Sequence, residues 1–296
     1  MDIALTLVVN PEFSVAIDDV AKSALAALTV SDSETVVLSN KKAIDLLFDF
    51  ASAEAAKISL AALNDIEGLD WVVQSADSRK KKLILADMDS TMITVECIDE
   101  LADFMDLKDQ VSAITEAAMR GELDFEGALA ERVALLEGLS EAQLKACYDE
   151  RIELMAGGRT LVQTMKANGA YAALVSGGFT YFTQQVAAAI GFDLNRANVL
   201  EIEDGALTGK VILPICGAQT KLDTLNELAA KFGFSKNEIA AVGDGANDIP
   251  MIEGASLGVA YHAHPRTRAA ASTAVTYGDL TALLYFQGYR DEDFVS

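Results

Sequence analysis

Basic residues are scarce in this 296-residue chain: 23 Lys and Arg stand against 45 Asp and Glu, for a formal net charge of −22. A surface so acidic excludes nucleic acid and anionic membrane as main partners, because either would be repelled. It does not exclude a small anionic substrate, since a few local cations reverse the sign inside one pocket. Cysteine is scarcer still. Cys97, Cys147 and Cys216 are odd in number and far apart. That fits neither a disulfide framework nor a zinc pattern and points to reduced thiols in a cytoplasmic protein. The two histidines, His262 and His264, both fall in YHAHP. With no third nitrogen or sulfur ligand beside them, they read as a loop next to other chemistry rather than as a metal site. Cys97 has no histidine nearby in sequence to activate it and reads as packing. No run of 18 uncharged apolar residues occurs, and no basic segment followed by an apolar run opens the chain. Neither a membrane span nor a secretory signal is therefore expected.

What is present suits a globular protein, with 51% hydrophobic and 23% charged residues. Residues 1–79 read as a small α/β unit. Its strands are IALTLVV (3–9), ETVVLS (34–39) and DWVVQS (70–75), and its helices lie over 15–28 and near 52–63. The run Arg79-Lys80-Lys81-Lys82 marks a boundary and reads as a solvated lead-in to the next strand. From 80 to 296, LILAD (83–87), YAALVS (171–176), IAAVGD (239–244) and SLGVA (256–260) are near-continuous apolar runs of the buried parallel kind. Helical stretches lie between them near 158–167, 179–190 and 219–232, so the alternation predicts a doubly wound parallel sheet in an α/β domain. A hairpin around Asp204-Gly205 interrupts it. Residues of about 94–155 hold no strand-like run and read as helices broken near Asp106, Gly121 and Gly138. A helical block inserted straight after the first sheet strand is expected over that strand's carboxyl end, where ligands of open α/β sheets bind.

Three loops close apolar strands in that domain: Asp87-Met88-Asp89-Ser90-Thr91, Ser176-Gly177-Gly178, and Gly243-Asp244-Gly245-Ala246-Asn247-Asp248. Aspartate is a poor strand residue and close carboxylates repel each other, so their delivery in pairs calls for a cation, a reaction or both. Together the loops make sense as a phosphate site. Attack by a carboxylate on a phosphomonoester dianion sets negative charge against negative charge, which Mg²⁺ held by Asp87 and Asp244 would screen. Lys221 and the Ser176 hydroxyl would stabilise the phosphate oxygens, with Gly177 and Gly178 exposing backbone N–H groups to the anion. Asp89 lies on the same side of an extended segment as Asp87, and crowded by other acids, one carboxyl would stay protonated and serve as general acid. Each loop alone has a bland explanation, as a turn or a surface acid pair; their joint order is what points to a site.

DMDSTMITVECIDELA, ALVSGGF and VGDGANDIPM resemble the haloacid dehalogenase superfamily, and within it the bacterial phosphoserine phosphatase family, over roughly residues 80–290. The resemblance implies a catalytic α/β domain of that type with an inserted helical cap, preceded by an amino-acid-binding (ACT-like) domain that matches by topology and position alone. It implies that Asp87 is the nucleophile and Asp89 the general acid and base. Mg²⁺ would be held by Asp87, the Asp89 backbone carbonyl and Asp244, with Asp248 supporting metal and lysine. Ser176, Gly177, Lys221 and Asn247 would hold the phosphate. Glu96 would meet the amino group of phosphoserine and Arg132 its carboxylate, while Met119 and Phe125 line the pocket. Two other readings stay open: a phosphatase or phosphotransferase for another small amine-bearing phosphomonoester, and a binding sensor without catalysis, against which both Asp87 and Asp89 are intact. A homodimer through the opening domain and regulation by serine stay open as well.

Overall fold

Two sheets organise the chain in the computed structural model, which describes residues 2–120 and 122–295 and leaves the Met119 side chain undescribed. The first is built from β1 (Ile3–Val9), α1 (Ile17–Leu28), β2 (Ser33–Ser39), β3 (Ala43–Phe48), α2 (Ala53–Ser59) and β4 (Leu69–Ser75). Its strands are antiparallel in the order β2-β3-β1-β4, a split βαβ arrangement. All seven residues of β1 are buried, which fits its central place between β3 and β4. The sequence reading lacks β3. Asp45 interrupts its apolar run, yet that carboxylate is buried, accepting a hydrogen bond from Thr6 Oγ1 (2.6 Å) and pairing with Arg79.

Arg79 therefore corrects the expectation of a solvated basic lead-in. The run is a bonded seam: Lys81 is buried and donates to the carbonyls of Ser78 (2.7 Å) and Asn237 (2.9 Å), and Lys82 pairs with Glu238 at 2.7 Å. Nearby, Asp70 of β4 accepts backbone N–H groups of Thr276 and Gly278, each at 2.7 Å, which ties the first sheet to the far edge of the second.

The second sheet begins with β5 (Leu83–Ala86), fully buried, as an alternating strand with one polar face would not be. The helical segment that follows holds α3 (Cys97–Asp103), α4 (Lys108–Met119), α5 (Phe125–Ala134) and α6 (Glu141–Arg151). Asp124 caps α5 by accepting the Gly127 N–H at 3.0 Å, and Ser140 with Gln143 forms a capping box on α6. Asp106 and Gly138, both with positive φ, sit at two of the expected breaks; Gly121 lies outside the described residues. The chain continues through α7 (Gly158–Ala167), β6 (Tyr171–Phe179), α8 (Thr180–Ile190), β7 (Leu194–Glu203), β8 (Ala206–Ile212), α9 (Ala218–Phe232), β9 (Ile239–Gly243), α10 (Ile249–Gly254), β10 (Leu257–Tyr261), α11 (Pro265–Ala270), β11 (Thr273–Val275) and α12 (Ala282–Phe286).

Strand order is β11-β10-β9-β5-β6-β7-β8, parallel throughout except for β8. The chain builds one side through β6 and the other through β9, so the topological switch lies at β5, where a crevice opens at the carboxyl ends. Leu83, Ile84 and Leu85 are fully buried, each contributing roughly 1.5–3 kcal/mol of burial. The expected hairpin is present and breaks the strand–helix alternation. β7 starts parallel to β6 and then turns back as β8, extending the edge, with Asp204 and Gly205 both at positive φ.

Candidate active site

Asp87 leaves β5 as the ladder ends, its N–H still donating to the Val242 carbonyl at 3.0 Å. Lys221 Nζ, fully buried, sits 2.7 Å from Asp87 Oδ1 and 2.6 Å from Asp248 Oδ1. That buried Asp87 oxygen has Lys221 as its ionic neighbour. Asp248 spends its second oxygen on the N–H groups of Asp244 (3.1 Å) and Gly245 (3.0 Å), which shapes the loop after β9. Thr91 Oγ1 donates to Asp244 Oδ1 at 3.1 Å.

Asp89 is held separately. Its Oδ1 accepts the Cys97 N–H at 2.8 Å and its Oδ2 accepts the Ser176 hydroxyl at 3.1 Å. Ser176 Oγ also accepts the Gly178 N–H at 2.8 Å. Gly178 must be glycine, because a Cβ there would stand 2.6 Å from Asp89 Oδ2. At Gly177 a Cβ would meet the Phe125 ring at 2.8 Å, so the α5 aromatic rests directly on the Ser-Gly-Gly loop. Asn198 braces that loop, donating to the Gly177 carbonyl at 2.8 Å and accepting the Cys216 N–H at 2.7 Å.

Above these groups lies a cavity of about 210 Å³. Asp87, Asp89, Ser176, Gly177, Gly178 and Asn247 line it from the strand ends, and Glu96, Phe125 and Arg132 line it from the helical segment. The Ser90 hydroxyl donates to Glu96 Oε1 at 2.6 Å, and Ser90 holds a left-handed φ of 54° to do so. Arg132 is buried, donating from Nε to the Ala128 carbonyl (3.0 Å) and from one terminal nitrogen to Thr115 Oγ1 (2.9 Å). Asn247 Oδ1 is buried without a partner, a polar atom aimed at nothing the protein supplies.

So many acids in one buried place cannot all ionise cheaply. Burial pushes Asp87 up to about 7, with the charge of Asp248 adding to it and Lys221 opposing. Burial, then the charge of Asp89, pushes Glu96 up to about 8. Asp244 is raised well above its ordinary value by burial and then by Asp248, and Asp89 is raised by burial against the hydrogen bonds from Cys97 and Ser176. Lys221 is raised in its turn, because the charges of Asp248 and Asp87 outweigh the cost of burying it.

A hard divalent cation fits this arrangement. Asp87, Asp244 and Asp248 each offer a buried oxygen, all three within 4.8 Å of one another. Asp248 is already committed to Lys221 and two N–H groups, which leaves Asp87 and Asp244 as the carboxylates with capacity for a metal. The Asp89 carboxylate is engaged by Cys97 and Ser176, leaving that residue its backbone carbonyl to offer.

The residues singled out in the sequence thus gather around one cavity or brace it, with Met119, whose side chain lies outside the described residues, left aside. Sequence reasoning missed Ser90, Thr91, Thr115 and Asn198, each of which holds a lining or acidic residue through a hydrogen bond. Ser90 and Thr91 stand inside the Asp87 loop, where their spacing was legible; Thr115 and Asn198 carry no sequence signal. The Cys97 side chain is packed as expected, but its backbone N–H fixes Asp89. The YHAHP loop lies beside the site, where the His264 N–H donates to the Asp244 carbonyl at 3.2 Å.

Residues 84–253 match the family of haloacid dehalogenase-like hydrolases. A phosphoserine phosphatase of Albidiferax ferrireducens is 47% identical over 208 residues, covering 69% of this chain and 88% of its own. Among solved structures, a HAD family hydrolase from Salmonella enterica serovar Typhi superposes with a TM-score of 0.83 at 32% identity, covering 97% of this chain and 98% of its own. A phosphoserine phosphatase solved as a phospho-aspartyl intermediate analogue superposes with a TM-score of 0.67 at 36% identity, covering 70% of this chain and 99% of its own.

Proposed function

The chain belongs to the haloacid dehalogenase-like hydrolases, and from that premise we propose that it is a phosphoserine phosphatase. It hydrolyses O-phospho-L-serine to L-serine and phosphate, the last step of serine biosynthesis. One observation carries the substrate: one cavity is lined by Asp87 and the Ser-Gly-Gly loop from the strand ends and by a carboxylate–guanidinium pair, Glu96 and Arg132, from the helical segment. Phosphoserine bears those three complementary charges.

The chemistry follows from the positions. Asp87 attacks phosphorus and the bond to the serine oxygen breaks, giving an aspartyl-phosphate and a leaving group that takes its proton from Asp89. Burial raises Asp89 above its ordinary value, the direction that favours a proton-carrying carboxyl. The same carboxylate, now ionised, removes a proton from water, which attacks phosphorus and returns Asp87. Lys221, the Ser176 hydroxyl, the Gly177 N–H and the Asn247 amide N–H hold the phosphate oxygens. A divalent cation, Mg²⁺ in this reading, held by Asp87, Asp244 and the Asp89 carbonyl, supplies charge neutralisation between nucleophile and phosphate when bound. Asp248 positions Lys221 and the Asp244 loop. Glu96 receives the ammonium, Arg132 the carboxylate in bidentate fashion, and Phe125 shuts out water.

The same proposal divides the chain into an ACT-like opening domain over 1–79 and a catalytic domain over 80–296, capped by the helices of about 94–155. It places the protein in the cytoplasm; no helix among the described residues is long and apolar enough to cross a membrane. A homodimer through the opening domain would use the outer edge of β2, where Val37 is exposed.

Phosphate release from phosphoserine with Mg²⁺, run beside phosphothreonine, phosphoethanolamine and glycerol phosphate, tests the function. Strong preference for phosphoserine, lost on chelation, is expected. Equal turnover of another ester would keep the hydrolysis and reject the substrate, and no turnover of any would favour a sensor.

A further inference from the structure

A small anion approaching this molecule meets a net charge of −22, and the cavity it must enter is lined by Asp87, Asp89 and Glu96. Two of the cations near the reacting atoms are already engaged. Lys221 is fully buried between Asp87 and Asp248, and Arg132 is buried, with two of its donors on Ala128 and Thr115 and the rest turned to the cavity it lines. Neither reaches toward solvent. Arg266 is different: it lines the same cavity, it is exposed, and among the described residues it makes no hydrogen bond or ion pair.

Its placement is fixed although its side chain is free. Arg266 stands on α11, which packs against the turn carrying Ala246, Asn247 and Asp248. The His264 N–H at the start of that helix donates to the Asp244 carbonyl. Two residues on, Arg268 lines a separate cavity between β4 and β11. The two arginines of this short helix therefore face different spaces, and one of those spaces holds the nucleophile.

We propose that Arg266 is the capture residue of the active site, a free cation at the cavity mouth that engages the phosphate of a small dianionic phosphomonoester and draws it in against the field of the protein. The proposal rests on the phosphomonoester reading above. A guanidinium suits the task, being charged at every working pH, weakly hydrated and shaped to meet phosphate with two donors. With no carboxylate partner in the resting state, it engages the anion without breaking an existing pair. Because it acts at the mouth, its effect falls on capture, kcat/KM, and not on the chemical steps within.

The test compares wild type with R266A, R266K and R266E, and with R268A as the control facing the other cavity. All are full chains with Mg²⁺, assayed on phosphoserine from low to high KCl. R266A is expected to lower kcat/KM roughly five- to twentyfold at low salt, with kcat and Tm unchanged and the loss shrinking as salt screens the charge. R266K should retain most of the wild-type value, R266E should lose more than R266A, and R268A should match wild type. Equal kcat/KM for R266A and wild type at low salt would overturn the proposal. So would a loss shared equally by kcat and kcat/KM at every salt concentration. Failure of the substrate reading looks different: wild type itself would leave phosphoserine intact. Inorganic phosphate titrated calorimetrically into both proteins then decides for Arg266, with weaker binding by R266A supporting it and equal affinity rejecting it.

Discussion

The two ends of the cavity are built on different terms. At the strand ends Asp87, Lys221, Asp248 and Asp244 form a chain of contacts in which Lys221 is held by two carboxylates and Asp248 by three donors. At the helical end Glu96 has one hydroxyl, from Ser90, and Arg132 has two side-chain contacts within its own helical segment. The first arrangement is over-determined: charges are buried only because each has a partner, so no member moves alone. The second leaves donors and acceptors in reserve for a ligand. Chemistry is fixed where redundancy is high, and selection is placed where one substitution alters it without dismantling the rest.

Breaking the strand-end network should have the largest effect. Asp87→Asn is expected to lower kcat by at least about 10⁴-fold, read by phosphate release, while the folded protein still binds phosphoserine. Lys221→Met removes the cation shared by Asp87 and Asp248. It should cost about 3–5 kcal/mol of stability in denaturant titration besides abolishing turnover. A Lys221→Met protein as stable as wild type would show that the carboxylates do not depend on it.

At the helical end the expected effect is smaller and selective. Arg132→Ala should reduce kcat/KM for phosphoserine by roughly 10–100-fold, the worth of a charge-assisted pair. Phosphoethanolamine, which has no carboxylate, should be almost unaffected. Equal losses on both substrates would mean that Arg132 supports the fold of the helical segment and does not read the carboxylate.

The smallest effect is thermodynamic. Asp87 and Glu96 sit at about 7 and about 8 in the fold, above their ordinary 3.8 and 4.5. The folded state therefore keeps protons that the unfolded chain gives up, and that stability, full below the ordinary values, is lost as pH rises through about 7 to 8. Metal-free protein should show a Tm that falls across this window. Added Mg²⁺ should restore it most at the upper end, where the carboxylates are free to bind. A flat Tm in both conditions would contradict the clustering of charge.

How much of this was legible in the sequence follows the same division. The strand-end residues are announced by short loops after apolar runs, because a parallel strand ending in aspartate is a local pattern, and the sheet then brings the loops together. The helical end gave weaker signals. Glu96 and Arg132 look like surface charges until family resemblance places them, and Thr115, which holds Arg132, has no signature because a threonine in mid-helix is common. β3 was missed because its buried Asp45 mimics a loop residue, and the basic run at 79–82 was misread because its partners, Asp45, Asn237 and Glu238, are distant in sequence. Local patterns showed in the sequence; long-range pairing did not.

The central claim, that β5 delivers Asp87 to form a covalent bond to phosphorus, is tested most directly by trapping. The enzyme turning over phosphoserine with Mg²⁺ is quenched, reduced with borohydride, digested and examined by mass spectrometry. The account expects reduction of an acyl-phosphate at residue 87 alone, converting that aspartate to homoserine, and no such change in Asp87→Asn. Rapid turnover with residue 87 unmodified, or with the modification at Asp89, would contradict it.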